Sequence, residues 1–464
     1  MSALSDRIRG IVAPRRTAGS NPLDPCDPSD PCDLPDPHGL PDLRDRPDPL
    51  DLPGLAATLG GSWVGGSFVV DRRWDPSARH GREGIGELAA RLEQSADHAA
   101  LFTGAAGGTA RPPFVFFDLE TTGLSGGAGT LAFLVGCGRF EADGAFVTRQ
   151  YLLTKFSDER ALLETVGADL MRAGALVSFN GKSFDAPLLE SRFLFHRLAW
   201  PGGALPHIDA LHPARRLWKQ SSPKGLRDVP GAEPLVAQSF RPAPATESGC
   251  SLQTLERQQL GLRRVGDVPG FEIPARYFQF VRGGDPRPLE AILEHNRLDL
   301  LTLAALTSRL LHLAGTGPAA ASDAREALAL GHIYLRGGFD DRAMAAYRHA
   351  LARCRSPRGA YDPIRIDALR AVALGCRRAR RYDEAASHWS ELLAMRGCPA
   401  PAAREATEAL AIHHEHRRRD LTAAKTFALL SLETGSGPGW TSAARYRLAR
   451  IERKLEESAV KPLF

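Results

Sequence analysis

Short apolar runs alternate with amphipathic stretches through the middle of the chain, and turn residues separate them. The run PPFVFFDLE at 112–120 is aromatic and β-branched behind its prolines, which predicts a buried central strand. Residues 131–140 and 145–153 predict two further strands joined by the turn sequence EADG, and 175–180 and 207–211 predict a fourth and a fifth. Strands that alternate with helices favour an α/β layered domain.

Apolar residues at helical spacing fill the intervals between these strands. We predict a helix over Asp158–Met171, capped by its first residue, and a second over Asp185–Leu198. Two later helices are expected at Ser251–Leu260 and Pro288–Leu313. The segment Ser221–Gly249 is rich in Pro, Ser and Gly, which predicts a loop that interrupts the α/β domain of residues 112–315.

The first part of the chain has no strong core pattern. Residues 1–54 are rich in Asp and Pro and have too few apolar side chains to offset the entropy of ordering, so we expect a disordered leader. Its acidity can shield a basic groove, although a solvated leader is the simpler interpretation. Residues 55–111 are interpreted as an extension packed on the following domain, with a short strand at 67–71 and a helix at 84–94.

After Gly315 the composition shifts to Ala, Arg and Leu at helical spacing. Two similar stretches place Gly331 and Gly375 in register roughly 40 residues apart, and a third pair of helices follows. Small residues permit close packing of paired helices, which predicts an all-α tetratricopeptide-like repeat domain over 318–464 with a surface for a protein partner. A plain bundle of helical hairpins is the alternative.

Charge and composition change this picture little. A net charge of +5 over 464 residues argues only weakly for a polyanionic partner. No apolar run approaches the ~20 residues that cross a bilayer, and no apolar stretch follows the basic N-terminus as in a secretory signal. The seven cysteines are scattered and odd in number, which indicates a reducing compartment. We therefore expect a cytoplasmic protein without a membrane partner.

The first candidate for chemistry is the pair Asp118 and Glu120 at the end of the predicted central strand. Because side chains alternate along a strand, both carboxylates point to one face. Two such groups at the end of a buried strand repel each other unless a cation neutralises them, and Mg²⁺ or Mn²⁺ prefers oxygen ligands of this kind. A strand that ends in solvent, with both acids hydrated, is the alternative.

Two further segments contain carboxylates in suggestive positions. Asp185 begins a predicted helix after a strand and an Asn-Gly turn, where simple N-capping is the alternative role. His295 and Asp299 are one turn apart on a later helix, so they share a face. Such a pair suits catalysis, because Asp can hold a cation while His accepts a proton from water, although a surface His–Asp pair is also common.

The order, spacing and content of these three segments resemble the DEDD superfamily of 3′–5′ exonucleases, which have a ribonuclease H-like fold. Asp118 and Glu120 match its first motif, Asp185 its second and Asp299 its last. The runs SGGAGTLAFLVGCG, SLQTLERQQLG, VGDVPGFEIP and EHNRLDLLTL are similar to its YprB-like branch, and the resemblance extends over residues 55–313. It implies an α/β domain with a ribonuclease H-like mixed sheet flanked by helices.

The resemblance also implies a chemistry, the two-metal hydrolysis of nucleic-acid phosphodiester bonds with Mg²⁺ or Mn²⁺, two ions per active site. Asp118 would bridge both ions, Glu120 and Asp299 would complete one site, and Asp185 would hold the other mainly through water. His295 would orient or deprotonate the attacking water. The last motif usually has four residues between its His and its Asp, or three between its Tyr and its Asp. Three residues separate His295 from Asp299, so His295 occupies the Tyr-type position. The substrate would be DNA or RNA, single-stranded or at a 3′ end.

Weaker candidates surround these motifs. Thr121, Thr122 and Gly123 can approach a terminal nucleotide through backbone donors, or simply form the turn out of the strand. Asn180 and Lys182 are candidate phosphate contacts beside the second motif, where a turn and a surface lysine are the alternative.

Arg215 and Arg216 lie in a basic stripe that can follow a phosphate backbone, or that is the solvated face of a short helix. A different function stays open for the whole chain. It is a non-catalytic nucleic-acid-binding scaffold that acts through its helical repeats.

Overall fold

The computed structural model describes residues 52–103, 110–123, 129–219, 249–355, 360–434 and 438–460. The leader predicted at 1–54 and the loop predicted at Ser221–Gly249 lie almost entirely outside the described residues. Leu50–Phe464 form one compact unit.

A seven-stranded mixed sheet organises the N-terminal half of this unit. Its strands are β1 (Ser62–Val64), β2 (Ser67–Trp74), β5 (Phe114–Thr121), β6 (Ala132–Phe140), β7 (Phe146–Leu152), β8 (Ala175–Ser178) and β9 (His207–Asp209), and a separate small hairpin contains β3 (Arg79–His80) and β4 (Glu83–Gly84). The order is β1-β2-β7-β6-β5-β8-β9, with β8 parallel to both β5 and β9 and all other neighbours antiparallel. This arrangement confirms the predicted mixed sheet.

The five predicted strands of the α/β domain are all present, with ends within one or two residues of the prediction; β5 starts two residues later and ends one residue later. The strand expected at 67–71 continues to Trp74 and pairs with β7, so it belongs to the main sheet. The parallel pairing of β5, β8 and β9 brings the carboxyl ends of these three strands to one edge of the sheet. Residues at those ends therefore lie close together.

Helices cover the sheet on both faces. In chain order they are α1 (Leu52–Leu59), α2 (Ile85–Gln94), α3 (Ala100–Thr103), α4 (Glu159–Leu170), α5 (Asp185–Phe195), α6 (Leu211–Trp218), α7 (Leu252–Leu255), α8 (Ile273–Gly283) and α9 (Arg287–Thr316). A single π turn, Glu256–Leu260, continues α7 and completes the helix predicted at Ser251–Leu260. Asp158 precedes α4 as predicted, but its side chain makes no capping hydrogen bond.

Helix α8 was not predicted. Its sequence, IPARYFQFVRG, is rich in aromatic and β-branched residues that favour strands in isolation. Ile273, Tyr277 and Phe280 are nevertheless buried at helical spacing, and Tyr277 stacks on Phe133 of β6 with ring centroids 3.9 Å apart. Tertiary packing thus outweighs local preference in this segment.

Two apolar cores lie on opposite faces of β5, because its side chains alternate. Val115 and Phe117 belong to the core that α4 and α5 cover, whereas Phe114 and Phe116 belong to the core shared with α9. The second core continues without a break into the C-terminal helices, where it includes Tyr334. The sheet and the first C-terminal helices are therefore joined by a common core.

Helix α9 is the longest element among the described residues, with 30 residues. By length and composition alone it could cross a membrane, since its most apolar window has a mean hydropathy of 1.2. Its sequence contains no unbroken apolar run of that length, so the sequence pattern did not predict this. However, 72% of that apolar window is buried inside the protein. Such burial is typical of a helix in the core of a protein, and α9 packs against β5, β6 and β7.

The C-terminal region consists of three helical hairpins and a final helix. The helices are α10 (Ala324–Arg336), α11 (Asp340–Arg353), α12 (Pro363–Arg378), α13 (Tyr382–Leu393), α14 (Ala400–His413), α15 (Leu421–Thr434) and α16 (Pro438–Val460). A Cβ at Gly331 would lie 2.4 Å from Tyr347, and one at Gly375 would lie 2.1 Å from Met344. Both glycines thus permit close helix packing, and the all-α region fits the predicted repeats.

Candidate active site

Asp118 and Glu120 lie on the α9 side of the central strand. They share the side-chain parity of Phe114 and Phe116, which face the core beneath α9. Asp118 pairs with Gly136 of β6, and the register shifts immediately after Glu120. This irregularity ends the regular pairing at the point where the second carboxylate emerges.

Asn296 of α9 holds Asp118 in place. Its side-chain amide donates to Asp118 Oδ2 at 3.0 Å, and its own Oδ1 accepts from Gln150 Nε2 at 2.9 Å. Gln150 also donates to the carbonyl of Leu293 at 2.8 Å. A Cβ at Gly136 would lie 2.1 Å from Asn296 Oδ1, so only glycine at this position lets the amide reach across β6. Asn296 and Gln150 are both fully buried, and these bonds satisfy the amide of Asn296.

Asp185 is the first residue of α5, at the edge where β8 ends. It is 8% exposed, and burial together with the neighbouring Asp209 raises its pKa to about 7. A Cβ at Gly181 would lie 2.9 Å from Asp185 Oδ2 and 2.4 Å from Ser178 Oγ. A glycine is therefore needed where the loop passes between the strand end and this carboxylate.

Asp209, at the end of β9, shapes the loop before Asp185. Its carboxylate accepts from the backbone N–H of Asn180 at 2.8 Å, of Lys182 at 3.2 Å and of Leu211 at 3.1 Å. Asn180 has a left-handed φ of 72°, which Asn tolerates better than most residues. Asp209 thus positions the segment that presents Asp185.

Asp299 lies on α9, one turn beyond His295, and has a partner on each side. Arg264 Nη2 donates to Asp299 Oδ1 at 2.5 Å, and His295 Nε2 lies 3.5 Å from Asp299 Oδ2. The other ring nitrogen, Nδ1, lies 2.7 Å from Asp267 Oδ1, and Asp267 also pairs with Arg264 at 3.3 Å. His295 is thus held between two carboxylates and is 8% exposed.

Arg264 connects this cluster to a second buried group. It pairs with Glu256 at 2.6 Å, and Glu256 accepts from the hydroxyl of Thr302 at 2.6 Å. The same hydroxyl contacts His80 Nε2 at 2.9 Å. Burial lowers the pKa of His80 to about 4, so its ring is neutral at pH 7. Glu256 and the side chain of Arg264 are almost inaccessible, so Asp299 is anchored by a fully enclosed guanidinium.

The carboxylates at this edge perturb one another. Burial raises the pKa of Asp118 well above its usual range, and Asp299, Glu120 and Asp185 raise it further, against the hydrogen bond from Asn296. Burial, Asp299 and Asp185 raise the pKa of Glu120 in the same way. The pKa of Asp299 is also raised by burial, although Arg264 and His295 oppose this effect. The fold therefore concentrates negative charge where desolvation makes it most costly.

This donor set fits a hard divalent cation. Four carboxylates offer the oxygen ligands that Mg²⁺ and Mn²⁺ prefer, and a cation would relieve the repulsion that raises their pKa values. Within the described part of the chain, no group of three or more His, Cys, Asp or Glu side chains converges as a closed ligand set. The four acids are nevertheless near enough to interact electrostatically, as the raised pKa values of Asp118 and Glu120 indicate.

The remaining predicted site residues lie around this edge. Thr121 donates its hydroxyl to the carbonyl of Gly123 at 2.9 Å, and the hydroxyl of Thr122 accepts from the backbone N–H of Leu131 at 3.0 Å. These bonds form the turn out of β5. A part in substrate binding stays a prediction for all three residues of the turn.

The predicted basic contacts lie on the far side of the same edge. Asn180 and Lys182 are exposed, and the ammonium of Lys182 donates to the carbonyl of Thr103 at 2.9 Å. Arg215 and Arg216 are on the exposed face of α6, and Arg216 shares a cavity with Lys182. Substrate binding by these residues stays a prediction.

The structure adds residues that the sequence did not single out. Asn296 carried a usable signal, since a polar residue on the apolar face of a helix needs a buried partner. Glu256 lies in the helix predicted at Ser251–Leu260, and Arg264 and Asp267 follow it in a segment without regular periodicity. Only the tertiary fold shows that Arg264 joins Glu256 and Asp267 to Asp299.

Residues 115–311 match the ribonuclease H superfamily, and this span contains every carboxylate of the candidate site. The chain is also 29% identical over 385 residues to the uncharacterized protein YprB of Bacillus subtilis (strain 168). That similarity covers 82% of this chain and 84% of the relative, so it extends into the C-terminal helices. The sheet order and the sequence match therefore show a ribonuclease H-like domain at residues 115–311, and this superfamily supports nuclease-type activity in general.

Proposed function

We propose that this chain is a metal-dependent 3′–5′ exonuclease that hydrolyses nucleic-acid phosphodiester bonds. The observation that supports it best is the meeting of Asp118, Glu120, Asp185 and Asp299 at one sheet edge, from three separate segments of the chain. A fold that holds four mutually repelling acids together loses stability, and a catalytic cation offsets this cost. Their positions match the DEDD motifs residue by residue.

These four acids would hold Mg²⁺ or Mn²⁺, two ions per active site. When bound, such ions lower the pKa of a coordinated water and stabilise the leaving oxygen. Asn296 fixes the orientation of Asp118 through its 3.0 Å hydrogen bond, and Arg264 fixes that of Asp299. The ligands are thus oriented before a substrate arrives, because hydrogen-bonded ligands bind with less reorganisation.

His295 is suited to handle the proton of the attacking water. Its Nδ1 lies 2.7 Å from Asp267, so an N–H at Nδ1 donates a hydrogen bond to that carboxylate. The other nitrogen, Nε2, then carries no proton and is free to accept one from water. Nε2 faces Asp299 at 3.5 Å and therefore points toward the carboxylate edge. In this role His295 orients or deprotonates the water, and Asp267 keeps the ring in the required tautomer.

The test uses 3′- and 5′-labelled single-stranded DNA and RNA with the purified full chain in Mn²⁺, Mg²⁺ or EDTA. We expect metal-dependent shortening from the 3′ end, lost in Asp118→Ala and retained in Glu190→Ala, which removes an exposed acid from α5. A blocked 3′ end should prevent cleavage. Cleavage that ignores the block would indicate an endonuclease, and tight binding without any cleavage would favour the non-catalytic scaffold.

A further inference from the structure

A cavity of about 920 Å³ lies where the α/β domain meets the first C-terminal hairpin. Four parts of the chain line it. The segment around α3 contributes Phe102, the β8–α5 loop contributes Lys182, α6 contributes Arg216, and the hairpin α10–α11 contributes Arg336 and Phe339. A Cβ at Gly337 would lie 2.5 Å from Leu101, so this glycine lets the hairpin close tightly against α3.

The basic side chains of this cavity form no hydrogen-bonded ion pair with an acid of the described residues. Burial and the nearby Arg216 lower the pKa of Arg336. Lys182 donates to the carbonyl of Thr103 and is attracted by Asp209, whereas Arg342 donates to the last carbonyls of α9. Asp97 is the opposing acid in the lining.

The second acid of the lining, Asp209, is already engaged by three backbone N–H groups. Lys182, Arg216, Arg336 and Arg342 face only two acids, so the lining carries a net positive charge. Such a surface attracts a polyanion, because unpaired cations gain most from phosphate contacts.

The cavity also exposes aromatic surface. Phe339 is 47% exposed, and Phe102 is half-buried in the α3 part of the lining. Base rings stack on exposed aromatic side chains in proteins that bind single strands, whereas paired bases of a duplex are not free to do so. Charge and stacking surface together fit one class of ligand.

The position of the cavity relates it to the candidate active site. Lys182 and Asp209 belong to its lining, the backbone N–H of Lys182 donates to Asp209 at 3.2 Å, and Lys182 lies three residues before Asp185. The cavity therefore begins where the catalytic edge ends. A strand lying in it would extend from the carboxylates onto the repeat hairpin.

We propose that this cavity is a groove for single-stranded nucleic acid, and that the helical repeats form half of it through Arg336, Phe339 and Arg342. This inference rests on the proposed function for the cleavage of the bound strand, whereas binding of the strand does not depend on it. The repeats thus act as a substrate platform for the nuclease domain. Bases stack on Phe339 while the arginines contact phosphates.

The first experiment measures binding of a labelled single strand of about 15 nucleotides by fluorescence anisotropy, in EDTA and over a salt series. We expect the double variant R216Q/R336Q to bind more weakly and to lower the slope of log K against log salt by about 1.4, since each phosphate contact contributes roughly 0.7. The control R355Q/R396Q removes two exposed arginines elsewhere on the repeats and should bind as the wild type.

The second experiment tests stacking. Phe339→Ala should weaken binding about 5- to 100-fold, whereas Phe339→Tyr keeps the ring and should restore it. Unchanged binding in Phe339→Ala and in R216Q/R336Q would overturn the proposal. The proposal would also fall if duplex bound as tightly as the single strand. Equal competition by poly-glutamate, together with unchanged binding in Phe339→Ala, would overturn it as well and would indicate an acidic protein partner.

Cleavage assays separate this proposal from the proposed function. The groove variants should raise KM for a long single strand with kcat retained, and should cleave bis(p-nitrophenyl) phosphate, which is too small to fill the groove, at the wild-type rate. If the wild type cleaves neither substrate while the variants still lose binding, the exonuclease proposal is wrong and the groove proposal is supported. If both substrates are cleaved and the variants behave as the wild type, the groove proposal is wrong and the exonuclease proposal is supported.

Discussion

The side-chain amide of Asn296 donates a 3.0 Å hydrogen bond to the carboxylate of Asp118, and it does so across the position of Gly136. We expect Gly136→Ala to displace Asn296, because the new Cβ would lie 2.1 Å from its Oδ1. The free energy of unfolding should fall by about 1–3 kcal/mol and cleavage should slow. Urea denaturation and initial rates check this, with Gly270→Ala as control, where a Cβ meets nothing within 4 Å. Equal stability of the two variants would contradict the proposed close approach.

We expect Asp118→Asn to lose activity and to gain thermal stability. It removes one of the repelling charges, so we expect the melting temperature without divalent ions to rise by about 2–4 °C for each 1 kcal/mol relieved. The same variant should lose both cleavage and the rise in melting temperature that Mn²⁺ gives the wild type. Thermal unfolding with and without Mn²⁺ measures this. A variant that melts lower than the wild type in EDTA would show that the acids do not strain the fold.

Arg264→Gln should be strongly destabilising. It leaves Glu256, Asp267 and Asp299 without their shared buried cation, and breaking a buried pair in this way costs about 3–5 kcal/mol. Arg287→Gln, which breaks an exposed pair with Asp285, should change the free energy of unfolding far less, because solvent screens that pair. Chemical denaturation of the two variants makes the comparison. Similar losses would mean that Arg264 is not the anchor of this cluster.

Glu326 predicts a pH dependence for the junction of the sheet domain and the repeats. It accepts from Trp218 Nε1 at 2.7 Å and from Ser322 through backbone and hydroxyl. Burial raises its pKa, but hydrogen bonds from Ser322 and Trp218 and the charge of Arg309 outweigh this and hold the pKa below its usual value of 4.5. Its contribution to stability is therefore present above about pH 4.5 and is lost as the pH falls through the lower, folded-state pKa.

Glu326→Gln should accordingly lower the free energy of unfolding by about 1–3 kcal/mol at pH 7, and the difference from the wild type should shrink below pH 4. Unfolding curves at both pH values test this, with the exposed Glu433→Gln as control. A difference that persists unchanged at low pH would assign the effect to packing instead of charge.

The predictable parts of this molecule are those that local pattern determines. The apolar run before Asp118 was enough to predict β5, and the acids of the motifs follow from their spacing along strand and helix. Helix α8 was missed because its aromatic residues favour a strand until Phe133 packs against Tyr277.

Contacts between distant segments could not be predicted from the sequence, for a different reason. Arg264 and Asp299 are 35 positions apart, and nothing in either segment marks the other as its partner. The same holds for the groove, since Arg216 and Arg336 meet only after the hairpin has packed against α3. Local patterns predict the elements and the acids, while the orientation of those acids depends on the assembled fold.

Helix α9 has a consequence for dissecting the protein. It contains Asp299 near its middle, and its last turns, including Leu310 and Leu311, lie in the core that continues to Tyr334. A fragment cut at residue 317 would turn this apolar surface outward, so the N-terminal half should aggregate when expressed alone. The same helix, about 45 Å long, belongs to both regions, because its middle contains Asp299 and its last turns pack against the repeats. The sheet domain and the repeats therefore have no boundary at which the chain can be divided without exposing a core.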